Sequence, residues 1–130
     1  LPAYAGDTCF AQIAEQVIIP FVRSFQPDMI LVSAGFDSHW DDPLTSLGLS
    51  SAGFYALSQR LVELAQEVCR GKIVFVLEGG YHPRNVANGV AAVFAALTGE
   101  SFADPGDRSP HREPQIGQML ESIRAWHGFA

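Results

Sequence analysis

The stretch MILVSAG, residues 29–35, is an apolar run with the length of a single β-strand. A run that is apolar at nearly every position, instead of at alternate ones, is typical of a strand covered on both faces, as in parallel sheets. A second run, KIVFVL at residues 72–77, follows after a stretch with helical periodicity. Two strands joined by one helix predict a right-handed βαβ unit inside a layered α/β domain.

Apolar side chains also recur at helical spacing elsewhere in the chain. The predicted helices cover residues 8–25, a stretch from Ser50 or Ser51 to Gly71, residues 83–98 and residues 115–127. Pro20 should bend or end the first helix near Ile19, because proline has no N–H to donate. Pro114 suits the first turn of the last helix. Residues 100–114, rich in Pro, Gly, Asp and Ser, predict an irregular surface segment.

The composition narrows the class of protein. A length of 130 residues fits one domain, and 48% hydrophobic with 17% charged residues is typical of a globular protein. The net charge of −6 argues against an electrostatic grip on nucleic acid or on an anionic membrane, so neither is an expected partner. Cys9 and Cys69 are too few for a disulfide framework, and they predict two reduced thiols in a cytoplasmic protein.

Residues capable of chemistry cluster directly after each predicted strand. The first strand runs into SAGFDSHWDDPL at residues 33–44, and the second runs into EGGY at residues 78–81. The carboxyl ends of parallel strands lie at the same edge of a sheet, and open α/β sheets bind their ligands beyond that edge. We therefore expect Asp37 and Tyr81 to face one cleft.

Each of these residues also has an ordinary structural interpretation. Asp37 could be a turn residue or a helix cap, and Gly79 with Gly80 could serve only a tight turn. Tyr81 could be a packing residue, or its phenol could donate a hydrogen bond to a developing oxyanion. A catalytic zinc ion needs three protein ligands and an open position, so the acidic loop by itself does not predict a complete metal site.

The two loops together resemble a known family. PDMILVSAGFDSHWDDPL at residues 27–44, followed by KIVFVLEGGY at residues 72–81, is similar to the C-terminal part of the histone deacetylase superfamily, which includes acetylpolyamine amidohydrolases. The resemblance covers essentially residues 1–130 as one domain segment. It implies an α/β fold, the C-terminal part of an arginase-deacetylase-type three-layer α/β/α fold with a parallel sheet.

The resemblance also implies roles for single residues. Asp37 stands at the position of the third zinc ligand, and Tyr81 at the position of the residue that hydrogen-bonds the oxyanion of the tetrahedral intermediate. Gly79 and Gly80 are expected to border the acetyl pocket. His82 stands where the family often has Asn and is expected at the substrate-binding rim. In such enzymes Zn2+ polarises the acyl carbonyl and activates water.

Parts of the family pattern are absent from the sequence. The tandem His-His and the Asp-x-His ligand pair do not occur upstream of Asp37. Asp37 and His39 have the spacing of an Asp-x-His pair, but His39 follows the motif instead of preceding it. His39 and His82 are instead expected near the edge of the cleft, where they could line a substrate entrance. Asp42 is expected to shape its loop and not to bind metal. The metal site of this chain alone is thus expected to be incomplete.

Two functions follow as hypotheses. The first is the C-terminal segment of a zinc-dependent deacetylase acting on acetyl-lysine or acetylpolyamine substrates, inactive alone, whose first half lies elsewhere. The start at Leu1, without an initiator Met, favours this interpretation. The alternative is a non-catalytic α/β interaction or assembly module on the same scaffold. Exposed strand edges would favour a homo-oligomer in that case.

Overall fold

The chain alternates helices with two short strands. The computed structural model describes residues 1–128. Its elements in chain order are α1 (Asp7–Ile13), a π-helical turn (Ala14–Ile18), α2 (Ile19–Phe25), β1 (Ile30–Ala34), α3 (Ser51–Cys69), β2 (Ile73–Leu77), α4 (Pro83–Thr98) and α5 (Gly117–His127). Among these described residues, no helix combines the length and the hydropathy that crossing a bilayer requires.

The two strands form the predicted parallel pair. Their register matches Ile30 with Ile73 and Ala34 with Leu77, and α3, 19 residues long, connects them. Parallel strands need such a crossover because the chain must return to the same end of the sheet. The carboxyl ends of β1 and β2 therefore lie side by side, and the loops that follow both strands begin at one edge.

One face of the sheet is packed and the other is exposed. Side chains alternate between the two faces of a strand. The alternate positions carry the apolar side chains of Leu31, Val74 and Val76, all of them exposed, with Leu31 69% accessible. We call these three residues the open sheet face. The intervening positions, including Phe75, pack towards the helices.

The first helical run does not end at Ile19. It passes through a π-helical turn and continues as α2 to Phe25. The irregularity expected from Pro20 thus appears as a wider turn immediately before the proline, a common way to absorb a break in the α-helical hydrogen-bond ladder. The run ends at Gln26, whose backbone is left-handed and whose N–H donates to the carbonyl of Val22 at 3.0 Å.

The ends of α3 follow from local chemistry. Ser50 is the N-cap, and its hydroxyl accepts a 3.1 Å hydrogen bond from the N–H of Gly53. Asp7 supports this cap, because its carboxylate accepts hydrogen bonds from both the N–H and the hydroxyl of Ser50. At the other end Arg70 and then Gly71 are left-handed, which stops the helix.

The larger core lies between α3, α4 and the loop after β1. Phe36 is buried there against Phe54 and Val93. Gly89 lets α4 approach this ring, since a Cβ on Gly89 would stand 2.2 Å from a ring carbon of Phe36. The close packing fixes the residue directly before Asp37.

Residues 100–116, which we call the strap, contain no helix or strand. Glu113 in the strap accepts hydrogen bonds from the N–H groups of Gly6, Thr8 and Cys9 at 2.8–3.2 Å, and so caps α1. Its neighbour Pro114 is not in the first turn of the last helix, contrary to the prediction. The contacts with α1 hold this part of the chain in place, and α5 begins only at Gly117.

A second, smaller core joins the strap to the start of the chain. Ile116 and Leu120 pack against Ala5 and Cys9. Cys9 and Cys69 are both buried and free. Burial raises the pKa of the Cys9 thiol, and the neighbouring Glu113 carboxylate raises it further.

Candidate active site

The loops that follow β1 and β2 meet at the edge of the sheet. The N–H of Phe36 donates a 2.8 Å hydrogen bond to the carbonyl of Gly79. The carboxylate of Asp37 lies directly against Gly79, because a Cβ on that glycine would stand 2.8–2.9 Å from three carboxyl atoms of Asp37. A Cβ on Gly35 would stand 2.7 Å from Asp37 Oδ1. The two glycines thus leave the space that the Asp37 carboxylate occupies.

The Asp37 carboxylate itself has no hydrogen-bond partner in the part of the chain that the structure describes, although the residue is half-buried. Its main-chain carbonyl is held by the hydroxyl of Thr45. A half-buried carboxylate without donors suits a metal ligand, since hard and borderline cations accept oxygen ligands. Within residues 1–128, however, no three His, Cys, Asp or Glu side chains lie close enough together to hold a metal ion. Asp37 therefore fits one ligand of a larger set.

Tyr81 is placed by the acidic loop. Its main-chain N–H donates a 2.8 Å hydrogen bond to Oδ2 of Asp42. The other carboxylate oxygen of Asp42 accepts a 2.9 Å hydrogen bond from the N–H of Leu44. Asp42 thus shapes both loops at once. Gly80, just before Tyr81, has φ +133°, a backbone conformation that favours glycine.

His82 precedes α4 and lines a cavity. This cavity, of about 300 Å³, lies between the acidic loop, the start of α4 and the strap. Its lining includes His82, Trp40 and Arg84. His82 Nδ1 and Trp40 Nε1 are buried without a hydrogen-bond partner among the described residues. The predicted rim residue thus lies at the base of α4, next to the loop that carries Asp37.

His39 is among the residues that line this cavity, but its ring is only 1% exposed. Nδ1 accepts a 3.1 Å hydrogen bond from the N–H of Asp41. Since a main-chain N–H can only donate, the ring proton of the neutral imidazole lies on Nε2. Nε2 in turn donates to Oδ2 of Asp107 at 3.0 Å. The ring of His39 is therefore part of a buried hydrogen-bond network and is almost inaccessible to solvent.

Asp107, in the strap, completes this network and was missed by sequence reasoning. It also accepts hydrogen bonds from the N–H and the hydroxyl of Ser51, at 2.9 and 2.6 Å. Burial raises the pKa of Asp107, but these donors, with His39, outweigh burial and lower the pKa below its usual value. Asp107 lies 68 residues from His39 in an irregular segment, where no spacing rule points to a partner.

The sequence profile described as "Histone deacetylase domain" matches residues 1–97 of the chain. The chain belongs to the histone deacetylase family. Individual relatives agree with this histone deacetylase assignment. The chain is 45% identical over 100 residues to "Histone deacetylase 14, chloroplastic" of Arabidopsis thaliana, covering 77% of this chain and 24% of that protein. It is 44% identical over 134 residues to "Histone deacetylase 10, chloroplastic" of Oryza sativa subsp. japonica, which cover 99% of this chain and 30% of that protein.

A third relative and two solved structures extend the comparison. The "Probable deacetylase" of Archaeoglobus fulgidus is 34% identical over 114 residues, which cover 85% of this chain and 32% of that protein. The HDA15 HD domain superposes with a TM-score of 0.76 at 28% identity, over 95% of this chain and 32% of that chain. The histone deacetylase Clr3 superposes with a TM-score of 0.77 at 26% sequence identity, over 94% of this chain and 20% of that chain. These superpositions confirm the predicted arginase-deacetylase-type fold. The chain spans about a quarter to a third of the length of these curated relatives.

Proposed function

We propose that the chain is the C-terminal portion of a zinc-dependent deacetylase, which hydrolyses the acetyl-amide bond of acetyl-lysine or acetylpolyamine substrates. The observation that carries the proposal is the contact of the Asp37 carboxylate with Gly79, in a chain of this family. The partner of the chain would be the remainder of the deacetylase domain. We call the longer protein that contains both portions the parent polypeptide.

Each site residue has a proposed role. Asp37 is a metal ligand, and zinc, once bound by the complete ligand set, supplies polarisation of the acyl carbonyl and an ionisable water. Tyr81 donates its phenolic hydrogen to the oxyanion that develops as the acyl carbon becomes tetrahedral. Gly79 and Gly80 let the acetyl group approach the main chain, and His82 contributes to the substrate rim.

The proposal predicts different behaviour for the chain and its parent. The chain alone should show no turnover of an acetyl-lysine peptide or an N-acetylpolyamine, because it holds one candidate ligand where a catalytic zinc needs three. The parent should turn over at least one of these substrates, lose activity on chelation and regain it with zinc.

Two variants of the parent separate the metal ligand from its neighbours. Asp37→Asn should abolish zinc-dependent turnover, whereas Asp41→Asn, in the same loop but exposed, should keep it. Turnover by the isolated chain would contradict the incomplete site. A parent that stays active after Asp37→Asn would contradict the metal role.

A second candidate function is supported by the open sheet face. Leu31, Val74 and Val76 present exposed apolar side chains on adjacent strands, a surface that a second chain could cover. A non-catalytic assembly module would self-associate through this face into a discrete oligomer. Light scattering over a range of concentrations distinguishes a defined dimer from a monomer, and Val74→Lys should dissociate such a dimer.

A cytoplasmic location is part of the proposal and rests on the two free thiols. Two relatives carry the word chloroplastic in their own names. Fluorescence microscopy of the tagged parent, compared with organelle markers, tests the location directly.

A further inference from the structure

His39 lies inside the turn that carries Asp37. Its N–H donates to the carbonyl of Phe36 at 3.2 Å, and its carbonyl accepts from the N–H of Asp42 at 3.0 Å. Leu49 holds the same turn from the outside through hydrogen bonds with the main chain of Ser38 and Trp40. Any displacement of the His39 backbone would therefore move both Asp37 and Asp42.

The His39 ring has one well-defined position. It stacks almost parallel to the ring of Phe54, with centroids 6.4 Å apart and an interplanar angle of 11°. Both ring nitrogens are engaged, Nδ1 by the N–H of Asp41 and Nε2 by Asp107. A buried imidazole whose two nitrogens are both bonded keeps one tautomer and one orientation.

Asp107 links the His39 ring to the start of α3. Its Oδ1 accepts from the N–H of Ser51, and its Oδ2 accepts from both the hydroxyl of Ser51 and Nε2 of His39. Ser51 is the first residue of α3, where a carboxylate is favoured by free N–H groups and by the helix dipole. The carboxylate is thus held by the helix on one side and by His39 on the other.

We propose that Asp107 is a positioning residue for the metal-ligand loop: through His39 it fixes the turn that presents Asp37. The inference rests on the proposed function, because it takes Asp37 as a ligand. It extends that function to the strap, which lies beyond residues 1–97, the region matched by the family profile.

The direct test is Asp107→Asn in the parent polypeptide. Asparagine keeps one oxygen for the N–H of Ser51 but replaces Oδ2 by an amide donor, which faces the donors of Ser51 and His39. We expect zinc affinity, measured by competition with a chromophoric chelator, to fall by about 10-fold or more. This is the lower end of the range for losing a residue that supports a metal ligand without touching the metal. Nitrogen-15 NMR of the imidazole should show that His39 no longer carries a fixed Nε2 proton.

Glu113→Gln is the matched control. Glu113 is a second carboxylate of the strap that caps a helix start, but it bonds α1 and has no hydrogen bond to the loop of Asp37. A purely structural role of the strap would make both variants equal in zinc affinity. We expect Glu113→Gln to lower the melting temperature while its zinc affinity and its His39 NMR signals stay as in the wild type.

The outcomes separate the inference from the proposed function. A wild-type parent that neither binds zinc nor deacetylates overturns both. A zinc-binding, active wild type whose affinity is unchanged in Asp107→Asn, or lowered equally in Glu113→Gln, overturns the positioning role alone. Should Asp107→Asn not fold, Asp107→Glu, which keeps the charge but shifts both oxygens by one methylene, takes its place. Wild-type zinc affinity in Asp107→Glu would then overturn the inference.

Discussion

Oδ2 of Asp42 accepts a 2.8 Å hydrogen bond from the main-chain N–H of Tyr81, and Asp42 is only 7% exposed. The loop after the first strand therefore sets the position of the residue proposed to stabilise the oxyanion. A second hydrogen bond joins the two loops in the opposite direction, because the N–H of Phe36 in the first loop donates to the carbonyl of Gly79 in the second. The candidate ligand and the candidate oxyanion donor thus lie in two loops that are hydrogen-bonded to each other, although neither loop has regular secondary structure.

Asp42→Ala should destabilise the parent and weaken catalysis together. The N–H groups of Tyr81 and Leu44 would lose a partly buried acceptor, and the loss should lie below the roughly 1–3 kcal/mol of a fully buried unsatisfied group, because both residues are exposed to water. Urea unfolding measures this loss, and kcat reports the displaced Tyr81. Asp41→Ala, at the exposed neighbouring carboxylate, is the control and should change stability by less than about 0.5 kcal/mol. Equal effects of the two variants would contradict the anchoring role.

Tyr81→Phe should lower kcat of the parent by about 10²–10³-fold, the range for loss of one oxyanion donor. The side chain is 55% exposed, so its hydroxyl contributes little to folding and the melting temperature should stay unchanged. Zinc content, measured by atomic emission, should stay unchanged as well. A variant that keeps the wild-type kcat would show that another group stabilises the oxyanion.

Gly79→Ala should reduce zinc affinity. The added Cβ would meet the carboxyl carbon of Asp37 at 2.8 Å, closer than real Cβ contacts, so the carboxylate must move. Gly117→Ala serves as the control, since a Cβ there meets nothing within 4 Å at the start of α5. That change should leave zinc affinity intact and be neutral or slightly stabilising. Chelator competition on both variants decides between displacement of Asp37 and a general effect of losing glycine.

Glu113→Gln should destabilise the parent at neutral pH but much less in acid. Burial raises the pKa of Glu113, but the N–H groups of Thr8 and Cys9 outweigh it, and the pKa lies below its usual value. A carboxyl with a lowered folded-state pKa contributes stability that is present above the unfolded value, about 4.3, and is lost as pH falls through the folded value.

The measurement is the difference in melting temperature between wild type and Glu113→Gln from pH 7 down to pH 3. The difference should be largest at pH 7 and shrink below about pH 4.3, where the wild-type carboxyl takes up its proton. A difference that grows as the pH falls would contradict the lowered pKa.

The part of the fold that could be predicted is the part governed by periodicity. Two continuous apolar runs with a helix between them indicate parallel strands, and parallel strands bring their following loops to one edge. The contact of Asp37 with Gly79 follows from that rule. The strap follows no such rule, because the partners of Asp107 and Glu113 depend on where an irregular segment crosses the helices.

Two features of the structure that the sequence does not predict have the same origin. The position of His39 after a strand indicates a place at an entrance, but its ring is bonded to Asp107 and packs on Phe54. Pro114 was expected to start a helix because proline suits that position, but the hydrogen bonds of Glu113 delay the start to Gly117. In both cases long-range contacts outweighed a local preference.

The open sheet face has a practical consequence for recombinant work. Residues 1–130 made by themselves would present Leu31 and Val74 to water beside unpaired strand edges, the combination that recruits further copies into insoluble material. Inclusion bodies would then result from the uncovered hydrophobic surface of the strands and would not indicate that the helices around it are misfolded. Co-expression with whatever polypeptide covers that surface, or a lysine at Val74, is the rational route to soluble protein.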